Sequence, residues 1–263
     1  MITDVHAHVT VDVPAQLARA RRAGVERTVL MPTSVHPEAA TDSAELRAEF
    51  ARLKNVIGGG AFPDAVFRAA IDELLRAVRS HPGETTAFAS VPLDAPAARI
   101  RSRVAENLAH DEVVGIGELT PAPGRAQDVA PVLEAVAEHG GRVPVFVHGF
   151  APNTLEDLRT YHALAGRHPS VPVIVGAFGG LHALDLVDLA AETPNLYLDL
   201  ANALQTFVVR AAARTVPQQC LFGSNTPYGD VVAARETVEH SVPDEPVRAL
   251  ILGENFERLL SGN

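Results

Sequence analysis

The chain has one cysteine, Cys220, in 263 residues, so no intrachain disulfide and no cysteine-ligated zinc site can form. That usage fits a reducing compartment, and the cytoplasm is the expected location. No run of about 18 apolar residues occurs, so no membrane-spanning helix is expected. The first residues, Met1-Ile2-Thr3-Asp4, carry neither a basic segment nor an apolar stretch, and no secretory leader is read there. Basic residues are in the minority: 22 Lys and Arg face 32 Asp and Glu, a net charge of −10. A nucleic-acid surface needs clustered Lys and Arg, and the one dense stretch, Arg19 to Arg22 with Arg27, reads as the polar face of a helix. Nucleic acid and membrane are thus not expected partners. A small-molecule substrate is, with homodimerisation left open. The Ala- and Arg-rich composition without tryptophan suggests a GC-rich bacterial source.

What is present is apolar and regularly arranged. Hydrophobic residues make up 47% of the chain and charged residues 21%, enough to bury a sizeable core. Short continuous apolar runs alternate with helical patterns from end to end. The strands read as Ile2 to His8, Val25 to Met31, Thr85 to Val91, Val113 to Leu119, Val143 to His148, Val171 to Ala177, Leu196 to Leu200 and Cys220 to Gly223. A helix follows each, some with legible ends: Pro14 near a start and Gly24 past an end, Asp42 as an N-cap, and Thr154 capping with Asp157 three residues on. Two helical segments follow strand 2, Asp42 to Leu53 and Asp64 to Ser80, joined by a flexible connection from Asn55 to Pro63. After strand 8 come Asp230 to His240 and Glu245 to Leu260. Eight such units, no Pro/Ser-rich linker and no Gly-rich phosphate turn predict one (β/α)8 TIM barrel over residues 1–263, with an extra helix in the second unit and a C-terminal helix.

In such barrels the chemistry sits at the strand C-termini. Strand 1 closes Asp4-Val5-His6-Ala7-His8, and alternation puts Asp4, His6 and His8 on one face. Strand 4 closes on Glu118 and strand 5 on His148. A carboxylate or imidazole ending an apolar strand is costly to bury unless paired or bound to a cation. Together His6, His8, Glu118 and His148 make a metal-ligand set suited to Zn2+, and less often to Mn2+ or Fe2+. His36 after strand 2 and Tyr228 after strand 8 are candidate substrate contacts, and His182 lies in the loop after strand 6. Cys220 enters strand 8 from the far end and reads as core.

These motifs, with Gly115-Ile116-Gly117-Glu118, Pro194-Asn195-Leu196-Tyr197-Leu198-Asp199, Phe222-Gly223-Ser224 and a closing Leu252-Gly253-Glu254-Asn255-Phe256, resemble the amidohydrolase superfamily. The nearest branch is the amidohydrolase-2 or aminocarboxymuconate-semialdehyde-decarboxylase-like group. The resemblance implies a metal-dependent barrel in which His6, His8 and His148 match metal ligands and Glu118 matches a carboxylate that ligates in some branches. Two positions depart from the pattern. Ala177 stands where the family has a strand-6 His, and Asn225 where it has the Asp that binds metal and handles the proton of the attacking water. Asn225 then reads as an introduced substitution, as a position whose base role Glu118 has taken, or as the mark of lost hydrolytic chemistry. The expected function is metal-dependent hydrolysis of a small amide, ester or lactone, with Asn225, Glu118 and His182 as candidate catalytic groups and impairment at Asn225. The alternatives are a carbon–carbon lyase, such as a decarboxylase, and a non-catalytic metal- or ligand-binding barrel.

Overall fold

Eight apolar runs, each too short to form a stable sheet alone, pair in sequence order into one parallel sheet, β1 to β8. The computed structural model describes residues 1–60 and 64–262. The strands are β1 (Thr3–His8), β2 (Arg27–Met31), β3 (Thr85–Ala89), β4 (Val113–Leu119), β5 (Val145–Val147), β6 (Val173–Val175), β7 (Leu196–Asp199) and β8 (Cys220–Leu221). The chain beyond β8 closes the sheet onto β1: Val5 N–H donates to the Phe222 carbonyl at 2.9 Å, and Asn225 N–H to the His6 carbonyl at 2.7 Å. The result is a (β/α)8 TIM barrel.

Helices α1 (Val13–Arg22), α2 (Ser43–Ile57), α3 (Asp64–Ser80), α4 (Ala97–Leu108), α5 (Ala130–Glu138), α6 (Leu155–Arg167), α7 (Ala183–Glu192), α8 (Thr206–Thr215) and α9 (Val231–Ser241) surround it, with α2 as the extra helix of the second unit. The connection expected from Asn55 to Pro63 begins later, since α2 runs on to Ile57; residues 61–63 lie outside the described ones. The expected helix from Glu245 to Leu260 is broken into α10 (Glu245–Ala249), a widened turn at Leu250–Glu254 and α11 (Asn255–Ser261). The break falls at Gly253, where a Cβ would stand 2.2 Å from the Met1 carbonyl oxygen, so the chain passes its own first residue.

Val29, Met31, Phe88, Phe146, Ile174 and Leu221 fill the barrel interior, and Phe256 and Leu259 of α11 pack beneath them. The main core lies between the sheet and the helices. The alternation expected for β1 does not run unbroken. Its register against β2 shifts by one residue between Asp4 and Ala7. Val5 therefore joins the interior cluster, while Asp4 turns to the segment after β8, accepting hydrogen bonds from Ser224 N–H at 2.9 Å and Ser224 Oγ at 2.6 Å. Cys220 is buried core, its thiol pushed up to about 12 by burial.

The capping box on α6 forms as expected. Thr154 Oγ1 accepts from Asp157 N–H, and Asp157 in turn accepts from Thr154 N–H and from Gly124 N–H across the unit boundary. Asp157→Ala removes the return half of the box and leaves Gly124 N–H without its acceptor. It is expected to lower unfolding free energy by about 2 kcal/mol in urea titration, without loss of the fold.

Candidate metal centre

The sequence places imidazoles and carboxylates at strand ends; the barrel decides which of them meet. One ligand atom each from His6, His8 and Glu118 lies within 4.8 Å of the others. The ring centroids of His6 and His8 are 5.4 Å apart, edge to face. His6 is fixed from below: its Nδ1 is 2.6 Å from Asp199 Oδ2 at the end of β7. Asp199 also accepts from the Ala177 and Ala201 N–H groups, so it is held from three sides. This closeness requires glycine at 223, where a Cβ would stand 2.1 Å from Asp199 Oδ1 and 2.8 Å from His6 Cβ.

The residues present fit a divalent cation. His6 Nε2 and His8 Nδ1 are buried without a hydrogen-bond partner. Buried polar atoms are rarely left unpaired, and the orphaned Nε2 of His6, whose other nitrogen is taken by Asp199, points to an ion. His8 Nε2 lies 3.5 Å from Glu118 Oε2. Two imidazoles and one carboxylate are donors for Zn2+, Mn2+ or Fe2+, and a three-residue set leaves coordination positions open.

His148 is not in that group. It lies across Glu118, its Nδ1 2.7 Å from Glu118 Oε1, and its Nε2 has only a long 3.5 Å contact to the Ala151 carbonyl. Burial resists the charge on Glu118, but the imidazoles around it, His148 first, outweigh that and hold it down at about 2. Burial pushes His8 down to about 4, with Glu118 only partly offsetting it. His6 faces the same desolvation, yet the charge of Asp199 and its hydrogen bond raise it above the ordinary imidazole value.

A cavity of about 1210 Å³ opens on the site, lined by His8, Glu118, His148, Asn225 and Tyr228 among others. The Tyr228 ring stands edge-on to His8 at 5.3 Å, and its hydroxyl donates to the Val35 carbonyl. Asn225 sits in the left-handed region at φ 54°. The other two candidates lie apart from this group. His36 Nδ1 pairs with Glu38 Oε1 at 3.2 Å, and His182 is a third exposed and faces Asp185 at 3.9 Å; neither is among the described lining residues. β6 ends at Val175, before Ala177. Residues 177–180 form a left-handed turn, with Ala177 and Phe178 at φ 48° and 53°, so Ala177 gives Asp199 its N–H rather than a ligand.

Sequence reasoning missed the cavity wall formed by α2 and α3, including Leu46, Phe50 and the chain's single lysine, Lys54. The signal was present: an apolar stripe on a helix inserted at the strand C-termini faces the mouth of the barrel.

A family model described as amidohydrolase matches residues 3–261. The chain belongs to the amidohydrolase family. No curated protein matches it. Among solved structures, this amidohydrolase is similar to 5-carboxyvanillate decarboxylase LigW from Sphingomonas paucimobilis, at 16% identity and TM-score 0.67, with 99% of this chain and 98% of that one covered. It is also similar to 2,6-dihydroxybenzoate decarboxylase from Rhizobium, at 16% identity and TM-score 0.64, covering 99% and 98%. A third is a dihydroxybenzoic acid decarboxylase from Polaromonas solved with bound manganese, at 17% identity and TM-score 0.64, covering 99% and 96%. At these identities the likeness establishes the fold. Among the described residues, no helix is long and apolar enough to cross a membrane.

Two measurements test the metal centre. Asp199→Asn removes the charge behind His6 and keeps one oxygen acceptor where Ala177 and Ala201 use two; Mn2+ or Zn2+ affinity should fall 10- to 100-fold by calorimetry, with the circular dichroism spectrum still that of the folded barrel. Protons also compete with the ion. His6, raised, holds its proton more tightly than a free imidazole, whereas His8, at about 4, is already neutral. Affinity should therefore weaken as pH falls through the neutral range, with proton release on binding. A pH-independent affinity between 5 and 8 would remove His6 from the ligand set.

Proposed function

We propose that this amidohydrolase is a metal-dependent carbon–carbon lyase that decarboxylates a small organic acid, the alternative to the hydrolase expected from sequence. The observation that carries this reading is the Glu118–His148 pair in a cavity that has an amide at 225. Hydrolysis needs a group to take the proton of an attacking water. Asn225 cannot accept it, and Glu118 is engaged on one oxygen by His148 and faces His8 with the other. Decarboxylation needs the opposite service. The bond from carbon to carboxylate breaks, carbon dioxide leaves, and the electron pair left on carbon takes up a proton.

His148 is suited to supply that proton. Its Nδ1 is held by Glu118, its ring lines the cavity, and its Nε2 has only the long contact to Ala151. Tyr228 packs against His8, fixing one wall for the substrate, and Asn225 offers neutral hydrogen bonds to an acid's oxygens. His6, His8 and Glu118 would hold the divalent ion, which supplies positive charge to the acid and to electron density developing on the substrate. The solved neighbours named as decarboxylases support the same class of reaction, and manganese in one of them supports Mn2+ beside Zn2+ as the ion.

The test is carbon dioxide release from hydroxybenzoates, 2,6-dihydroxybenzoate and 5-carboxyvanillate included, beside ester and lactone hydrolysis, with Mn2+ or Zn2+ at equal occupancy. Decarboxylation should exceed hydrolysis, and His148→Gln should slow it 10²- to 10⁴-fold at unchanged metal content. Ester or lactone turnover without carbon dioxide, and faster in Asn225→Asp, would restore the hydrolase reading. Metal binding with neither activity would favour a binding barrel.

A further inference from the structure

The helical insertion carries apolar surface that the core does not use. Leu46, Phe50, Leu53 and Ile57 of α2 follow one another at spacings of four, three and four, the stripe by which a helix ordinarily docks on a core. Yet no residue of α2 is buried. Leu46 and Phe50 are 39% and 47% exposed, and all four line the cavity. From α3, Val66, Phe67 and Ile71 line it too. At the metal centre, by contrast, the His8 and Glu118 side chains are 8% and 10% exposed. The cavity thus runs from a buried polar end to an open apolar one. Its volume of about 1210 Å³ exceeds the roughly 300–1,000 Å³ usual for small-ligand pockets. A single-ring acid seated at Glu118 leaves the α2 and α3 walls wet, and a wet apolar wall is surface that a longer ligand would take out of water.

We propose that the substrate is an amphipathic acid whose polar head meets the metal centre at His8 and Glu118 and whose apolar body, longer than one ring, lies along α2 and α3. Leu46 and Phe50 then determine specificity. The head-group placement rests on the reading above, but the apolar subsite is measured by binding and needs no turnover.

Calorimetry on the full chain, with and without Mn2+, would compare hexanoate through dodecanoate with benzoate, 2-naphthoate and 4-biphenylcarboxylate. Affinity should rise about two- to fourfold per added methylene, from the transfer of apolar surface out of water. It should rise likewise with each added ring; the steeper series tells a chain from a polycyclic body. The Leu46→Ser, Phe50→Ser double variant, at two exposed positions, should flatten both series and leave benzoate affinity unchanged. The chain has no tryptophan, so Phe50→Trp gives one fluorophore on the wall. Its emission should shift to the blue with dodecanoate or 4-biphenylcarboxylate and stay put with benzoate. Flat series in the unaltered protein, steep series that survive the double variant, or an unmoved emission from the Phe50→Trp variant would overturn the proposal. Absence of carbon dioxide release with steep series intact would count against the decarboxylase alone.

Discussion

Closing the barrel takes two carboxylates, Asp199 and Glu118, out of water at the same end, and the site is organised by what compensates each. A buried, uncompensated carboxylate costs several kcal/mol, far more than a loop contact returns. Asp199 is met by the His6 imidazole and two backbone N–H groups; Glu118 is met by His148 on one oxygen and faces His8 on the other. These pairings use one nitrogen of His6 and orient both rings. The His6 nitrogen left over, Nε2, is one the fold does not satisfy by itself. An ion is the natural completion of such an arrangement, since it supplies charge where no protein donor can be brought.

The two departures from the superfamily pattern take on structural meaning in this light. At 177, where the pattern has an imidazole, the turn after β6 is left-handed and a backbone donor reaches Asp199. Without a carboxylate at 225, the negative charge near the ion falls to Glu118 and, through His6, to Asp199. The two acids that remain at the centre stand on β4 and β7.

Much of the barrel was legible because strand and helix periods differ and the helix ends carry recognisable caps. Val113–Leu119 emerges with the bounds its apolar run implies, and Thr154 with Asp157 forms the expected box. Strands 5 and 6 are shorter than their apolar runs at both ends, and strand 8 at its C-terminal end. What local sequence could not show depends on contacts between distant residues. The break at Gly253 depends on Met1, and the register shift in β1 on its neighbours. The placement of His148 beside Glu118 depends on side-chain direction, not spacing. The α2 stripe carried a readable pattern with an ambiguous object, since the same periodicity serves a core or a cavity. His36 and His182 had suitable positions along the chain and unsuitable surroundings in space.

The packing of α11 under the barrel has a consequence for traffic. Phe256 and Leu259 close the N-terminal end against Phe88, Phe146 and Leu221. Whatever enters the cavity must leave by the same mouth, past the apolar faces of α2 and α3. Entry and departure therefore exclude one another in time, and the residence of one molecule along that wall sets how soon the next can be admitted. A surface that holds a ligand well also delays its successor. Affinity and exchange are coupled at the doorway.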